Sequence, residues 1–188
     1  MNFCSECGER TERKIPEGDT HERDVCTVCA TIFYSNPKNV CGCILEWEGK
    51  ILLCKRAIEP RLGYWTVPAG FMENLETTAE GAAREAMEEA NAEADDLTFF
   101  GLYNLPRISQ VYIMYRGTLR DGNASVGPES LEVGLYEESD IPWDDLAFPV
   151  VVESLQRYLE DRRNGHFRMH RADIYSRPGP DLRIVRHE

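Results

Sequence analysis

Glu85, Glu88 and Glu89 stand within one turn and a quarter of chain, in the stretch Thr-Thr-Ala-Glu-Gly-Ala-Ala-Arg-Glu-Ala-Met-Glu-Glu-Ala-Asn-Ala at residues 77–92. Thr77 followed by Glu80 three residues later is a capping-box start, so the stretch is expected to be a helix. At about 100° per residue, Ala79, Ala83, Ala86, Met87 and Ala90 fall on one side and are expected to pack on a sheet. The three glutamates fall on the other side, within an arc of about 100°. Like charges at these spacings repel by about 0.2–0.5 kcal/mol per pair. Three converging carboxylates suit a hard divalent cation such as Mg²⁺ or Mn²⁺. A solvated acidic face is the competing reading for the glutamates alone. The loop Trp-Thr-Val-Pro-Ala-Gly-Phe-Met-Glu at 65–73 shifts the balance, because a glycine-bearing turn there brings backbone polar groups to the same patch.

Cys4-x2-Cys7 and Cys26-x2-Cys29, 18 residues apart, have the spacing of a two-knuckle zinc site. Gly8 suits the sharp turn after the first pair. Four thiolates complete the tetrahedron and leave no position for a catalytic water, so this zinc is expected to be structural. Residues 1–34 carry few apolar side chains (Ile15, Val25, Ile32, Phe33) and are expected to depend on the metal to fold. Cys41, Cys43 and Cys54 lie outside that spacing and read as buried small apolar residues. The histidines, at 21, 166, 170 and 187, give them no Cys-His pairing.

The elements that would position these groups follow from local pattern. The segment 35–38 (Ser-Asn-Pro-Lys) reads as a linker. Strands are expected at 39–47 and 50–55, joined at Glu48-Gly49 in a tight hairpin. Residues 56–76 read mainly as loop, with a short strand near 65–67. Strands at 98–104, 110–120 and 131–136 precede a helix near 150–162. The reading is an α/β chain of three parts: a ribbon at 1–34, a main domain at 35–162, and a basic, partly ordered tail at 163–188.

The 188 residues carry 21 Lys+Arg and 33 Asp+Glu, a net charge of −12. Residues 1–34 hold four basic and seven acidic side chains, and 35–161 hold 10 and 23. Only the tail is basic, so nucleic acid is not expected as the main partner. No apolar run approaches the ~18 residues of a membrane span. The N-terminus shows no secretory signal pattern, so a cytoplasmic protein in a reducing compartment is expected.

Residues 70–92, GFMENLETTAEGAAREAMEEANA, resemble the signature of the Nudix hydrolases. Gly70, Glu76, Arg84, Glu85, Glu88 and Glu89 stand in register with it. Asn91 departs from it, where the family has glycine; Asn is the next best residue for a left-handed helix end. Together with the Cys4 ribbon, the segments LLCKRAIEPRLGYWTVPAGFME and GPESLEVGLYEESDIPWDDLAF are similar to a zinc-ribbon subgroup that includes FAD and ADP-ribose pyrophosphatases. The Ser-Gln-Pro-Trp-Pro-Phe-Pro element of the NADH pyrophosphatases is not present in the stretch from Leu105 to Tyr112, which disfavours NADH.

The resemblance implies an α/β/α sandwich with a mixed sheet. It also implies hydrolysis of a nucleoside diphosphate linked to another moiety, with AMP among the products. Glu85, Glu88 and Glu89 would hold Mg²⁺ or Mn²⁺ with the Ala69 carbonyl, and Arg84 would pair with Glu76. Glu129 and Glu132 are candidates for the general base. Arg56 and Arg61 are candidates for phosphate contact, as Glu129 is for substrate. Tyr64, Tyr103 and Tyr112 are candidates for stacking, although aromatics at strand spacing more often belong to a core. A homodimer fits the family. RNA 5′-end processing and a non-catalytic ligand sensor are the competing functions.

Overall fold

The computed structural model describes residues 1–176 and 182–187. Two compact units emerge, residues 1–37 and the chain from Lys38 onward. In the first, strands β1 (Thr11–Lys14), β2 (Arg23–Cys26) and β3 (Ile32–Phe33) form a small antiparallel sheet. Its buried apolar side chains are Cys4, Pro16, Val25 and Cys26, too few to hold it together. Cys4, Cys7, Cys26 and Cys29 converge instead, their sulfurs all within 4.8 Å of one another.

The geometry of the four thiols fits zinc. Sulfur separations of 3.6 Å (Cys4–Cys29), 3.4 Å (Cys7–Cys26) and 3.5 Å (Cys7–Cys29) approach the ~3.8 Å edge of a tetrahedron with Zn–S bonds of ~2.3 Å. Backbone N–H groups donate to the sulfurs, from Glu6 to Cys4 and from Val28 and Cys29 to Cys26, each at 3.4 Å. The Cys29 and Val28 amides hold the Cys26 thiol below its usual range. The Thr31 hydroxyl, 3.1 Å away, helps pull Cys29 down to about 6. Cys7 moves the other way: the Glu9 backbone pulls it down, but its hydrogen bond to Cys26, burial and its hydrogen bond to Cys29 push it up to about 12, so the metal-free thiols share protons that a zinc ion would displace to bind thiolates.

The second unit begins with β4 (Lys38–Trp47) and β5 (Lys50–Arg56). Their two-residue turn has positive φ at both Glu48 and Gly49, the hand that matches strand twist. The short β6 (Trp65–Thr66) and β7 (Ala69–Phe71) lie on β5 and β4. Helix α1 (Thr78–Ala90) is followed by β8 (Ala94–Leu105), β9 (Gln110–Leu119) and β10 (Ser130–Tyr136). Then come α2 (Pro149–Asn164), β11 (His170–Ser176) and β12 (Leu182–His187). The sheet order is β10-β5-β4-β9-β8-β11-β12. β4 runs parallel to β9 and β8 to β11, while the other pairs are antiparallel. The sheet is therefore mixed.

Strand alternation divides the core between two faces. Cys41, Cys43, Leu45, Leu52 and Cys54 lie under Ala82, Ala86 and Ala90 of α1. Val40, Ile44, Ile51 and Leu53 meet Val150, Val151 and Leu155 of α2 on the other. The result is an α/β/α sandwich. The three cysteines of β4 and β5 are buried, at 0–1% exposure. Among the described residues no helix is long and apolar enough to cross a membrane.

Two expectations are corrected. Helix α1 is turned about its axis by about 100° from the face read by apolar periodicity. Gly81, Ala82, Glu85, Ala86, Glu89 and Ala90 are buried, while Met87 is exposed. Two glutamates therefore point inward, and the polar patch is no solvated face. The segment 163–188 is the second case. Where a partly ordered tail is expected, β11 and β12 pair with each other, and β11 extends the sheet by pairing with β8. Ala172 and Ile174 of β11 are buried, which ties the hairpin to the core. Residues 177–181 and 188 of that segment lie outside the described residues.

Candidate active site

Helix α1 is fixed at both ends, and this sets the depth of its glutamates. The Thr77 hydroxyl accepts the Glu80 N–H at 3.2 Å, and the Glu80 carboxylate accepts the Thr77 N–H at 2.7 Å. At the other end Asn91 takes the left-handed conformation (φ 45°, ψ 38°), as its place after the helix predicts. Between these caps Glu85 and Glu89 turn toward β7. They are 7% and 5% exposed. The Glu85 carboxylate lies directly over Gly70, where any side chain would collide with it. This explains a glycine at that position.

Arg84 organises the cluster. Its Nε and Nη2 grip both oxygens of Glu76 at 3.0 and 2.9 Å. Nη1 donates to Glu85 at 2.7 Å and Glu88 at 2.8 Å, and Nη2 also donates to the Phe71 carbonyl at 3.0 Å. All five N–H donors of the guanidinium are thereby engaged. Arg84, with the Glu73 N–H, holds the Glu76 carboxyl down at about 2.

Glu89 has the opposite environment. Burial pushes its carboxyl up to about 8, and the neighbouring Glu85 charge adds to the rise. The Ala69 N–H and the Arg56 charge oppose it, and Glu129 adds to it. Its Oε2 finds no hydrogen-bond partner among the described residues. Burial also raises Glu85. Ala69 itself pairs with Gly42. The Cys43 N–H to Pro68 hydrogen bond flanks this pair, and the Met72 N–H to Asn39 bond flanks the Phe71–Val40 pair two residues along, which puts Ala69 at a non-hydrogen-bonded position of the ladder with its peptide groups turned away from β4. A buried carboxylate oxygen without a donor, with the Glu85 carboxylate near it, Glu88 joined to Glu85 through Arg84 and an outward-facing peptide at Ala69, offers oxygen donors only. This set fits a hard divalent cation.

The structure brings some of the other candidates to this cluster and sets others apart. Arg56 closes β5 with its guanidinium 5.1 Å from the Phe148 ring and its Nε donating to the Pro60 carbonyl at 2.9 Å. Glu129 lies near enough for its charge to raise both Glu85 and Glu89. Glu132 stands apart. It faces Lys55 across the β10–β5 ladder and pairs with it at 3.4 Å. Alternation along β5 puts Lys55 on the α2 side of the sheet, away from the glutamates. Arg61 lies over the Tyr64 ring at 4.7 Å. Tyr103 and Tyr112 belong to the core on the α2 face.

Three contributors escaped the sequence reading. Phe148 supplies the surface on which Arg56 rests. Gly127 passes so close to the α1 backbone at Glu88 and Glu89 that a Cβ there has no room. Ser130, 6% exposed, is buried opposite Arg56 on β10. The Gly-Pro pair at 127–128 is the signal for a tight passage, but nothing in the sequence says against what.

A mixed sheet between two helices, with a glutamate helix seated on a glycine strand, defines the Nudix class. Residues 35–169 match the NUDIX domain, and residues 2–35 match the zinc-ribbon N-terminal module of Nudix proteins. The chain belongs to the Nudix family. A NUDIX hydrolase crystal structure from Nitrosomonas europaea is 52% identical, with a TM-score of 0.90 over 94% of this chain and 100% of that one. An ADP-ribose pyrophosphatase from Methanocaldococcus jannaschii is 28% identical over 113 residues, 58% of this chain and 67% of that protein. The NAD-capped RNA hydrolase NudC of Salmonella paratyphi C is 28% identical over 144 residues, 74% of this chain. The chain spans about half the length, 53%, of that relative.

Proposed function

We propose that the protein is a divalent-cation-dependent pyrophosphohydrolase acting on a nucleoside diphosphate joined to a second moiety, with FAD and ADP-ribose as the leading substrates. Water adds to one phosphorus, the P–O–P bridge breaks, and AMP leaves together with the other phosphorylated half. The observation that carries this reading is the buried Glu89 oxygen without a hydrogen-bond partner among the described residues, on the same buried helix face as Glu85. The Glu85, Glu88 and Glu89 carboxylates, with the Ala69 carbonyl, would hold Mg²⁺ or Mn²⁺. When bound, the cation neutralises pyrophosphate charge and acidifies a water.

The remaining roles belong to the chain. Arg84 fixes the Glu85 and Glu88 carboxylates through its bridge to Glu76, an outer-shell orienting role. Glu129 accepts the proton of the attacking water, because it stands two residues beyond Gly127, which packs on the α1 backbone at Glu88 and Glu89. Glu132, paired with Lys55 on the other face, is not given that role. Arg56, propped on Phe148, contacts a phosphate of the substrate. Relatives named for ADP-ribose and for NAD-capped RNA favour a panel containing both classes.

The test is AMP release from FAD, ADP-ribose, NADH and NAD-capped RNA at equal concentration with Mg²⁺ or Mn²⁺. Glu89→Gln is expected to lower kcat by more than about 100-fold, beyond the loss typical of an outer-shell partner. Cleavage of FAD or ADP-ribose that this variant lacks supports the reading. Preference for the capped RNA replaces it with 5′-end processing, and cleavage of none overturns it.

A further inference from the structure

We infer that Asn91 is a positioning residue: its side-chain amide ties residues 121–129 to the end of α1 and so holds Glu129 over the glutamate cluster. The inference rests on the reading of Glu129 given above. Asn91 is the one position at which the 70–92 signature departs from the Nudix pattern, and the structure shows what the departure adds. Its backbone does what a glycine would do there. The left-handed conformation ends the helix, and its N–H returns to the Met87 carbonyl at 2.9 Å. The side chain does something a glycine cannot. Nδ2 lies 3.1 Å from the Ser125 hydroxyl, 3.1 Å from the Val126 carbonyl and 3.5 Å from the Ser125 carbonyl.

The same loop also closes the helix. The Ser125 N–H donates to the Ala90 carbonyl at 2.7 Å, and the Gly127 N–H to the Glu89 carbonyl at 3.1 Å. These satisfy carbonyls that a helix C-terminus leaves open. Gly127 packs against the Glu88 and Glu89 backbone with no room for a side chain. Two residues further on is Glu129, whose own carbonyl accepts the Ala57 N–H at 2.8 Å. The chain from Asn91 to Glu129 is thus continuous: amide, Ser125 and Val126, Gly127 on the helix, Glu129 at the site. Glu89 and the loop residue that acts beside it share one anchor. The side-chain bonds are solvent-exposed, so they are suited to placing a loop rather than to holding the fold.

Asn91→Gly and Asn91→Asp separate these roles, because both substitutions keep a residue that accepts the left-handed conformation. Glycine removes the tether. Aspartate replaces a donor facing three acceptors with a charged acceptor. A helix-cap role alone ranks glycine at least equal to asparagine, whereas the tether ranks asparagine above glycine and glycine above aspartate. The expected result is a kcat about threefold to tenfold lower for Asn91→Gly, the scale of one or two exposed hydrogen bonds, and lower again for Asn91→Asp. KM and the thermal shift produced by Mn²⁺ are expected to be unchanged, and amide exchange in 121–129 to be faster.

In a Glu129→Gln background the Asn91 substitutions are expected to cost no further kcat, since they act through that carboxylate. Unchanged exchange in 121–129, or a full additional loss of kcat in that background, overturns the inference. Wild-type kcat in Glu129→Gln alone overturns the assignment of Glu129 as base and with it the catalytic half of the proposal; the exchange measurement still decides the tether itself.

Discussion

Glu89 and Glu76 are the same residue type, 13 positions apart, with their carboxyls displaced in opposite directions. Arg84 holds Glu76 at about 2, so its contribution to stability is present above the ordinary carboxylate range and is lost only as the pH falls through about 2. Glu89 is raised from 4.5 to about 8 by burial. Between those values the folded, metal-free protein keeps a proton that the unfolded chain has released, so stability falls as pH rises across the interval. Thermal melts of metal-free protein are expected to decline from about pH 5 to about pH 8. Glu89→Gln is expected to flatten that decline, and Mn²⁺ to offset it at the upper end. A wild-type profile no steeper than that of Glu89→Gln would place the Glu89 carboxylate in contact with water. That Glu85, Glu88 and Glu89 share one helix is legible, because spacing alone fixes it. The choice between Glu129 and Glu132 is not, because β10 carries a register shift between Ser130 and Glu132. A shift of one residue decides which face a side chain occupies, and no local pattern announced it.

Helix α1 shows how an element can be read correctly in extent and wrongly in phase. Its caps were visible in Thr77, Glu80 and Asn91, and its limits agree with them. Its buried face differs from the one apolar periodicity marks because Met87, the largest apolar side chain in it, pulls the apolar average toward solvent. The alanines at 82, 86 and 90 are small because the helix lies close on Cys41, Cys43 and Leu52, and two of the inward positions are glutamates. Ala86→Leu is therefore expected to destabilise by about 1–3 kcal/mol through overpacking. Met87→Glu is expected to stay within about 0.5 kcal/mol of wild type. Denaturant unfolding of the two variants compares them directly, and the reverse order would restore the phase read from periodicity. The last hairpin was obscured for a related reason. His-Arg-Ala-Asp-Ile-Tyr-Ser in β11 does alternate, with Ala172 and Ile174 inward, but two inward apolar residues among charged ones make a pattern too short to distinguish a strand from a polar tail.

At the scale of the whole molecule, the two units are stabilised by different means. The second has two apolar clusters of its own, one under each helix. The first buries Cys4, Pro16, Val25 and Cys26 and little else that is apolar, so its folding free energy is expected to come from the metal. The two donor sets also differ in kind. Four thiolates select a soft or borderline ion such as zinc, while carboxylates and a peptide oxygen select Mg²⁺ or Mn²⁺. A zinc-selective chelator in the presence of excess Mg²⁺ is therefore expected to remove one metal and leave the other. Residue-resolved amide exchange checks this. Protection in residues 1–37 is expected to collapse, with α1, β4 and β5 keeping theirs, and Cys26→Ser is expected to reproduce the pattern without chelator. Loss of protection in α1 under the same treatment would mean that the glutamate helix depends on the thiolate centre, and its alanine-packed face would then be insufficient to hold it on the sheet.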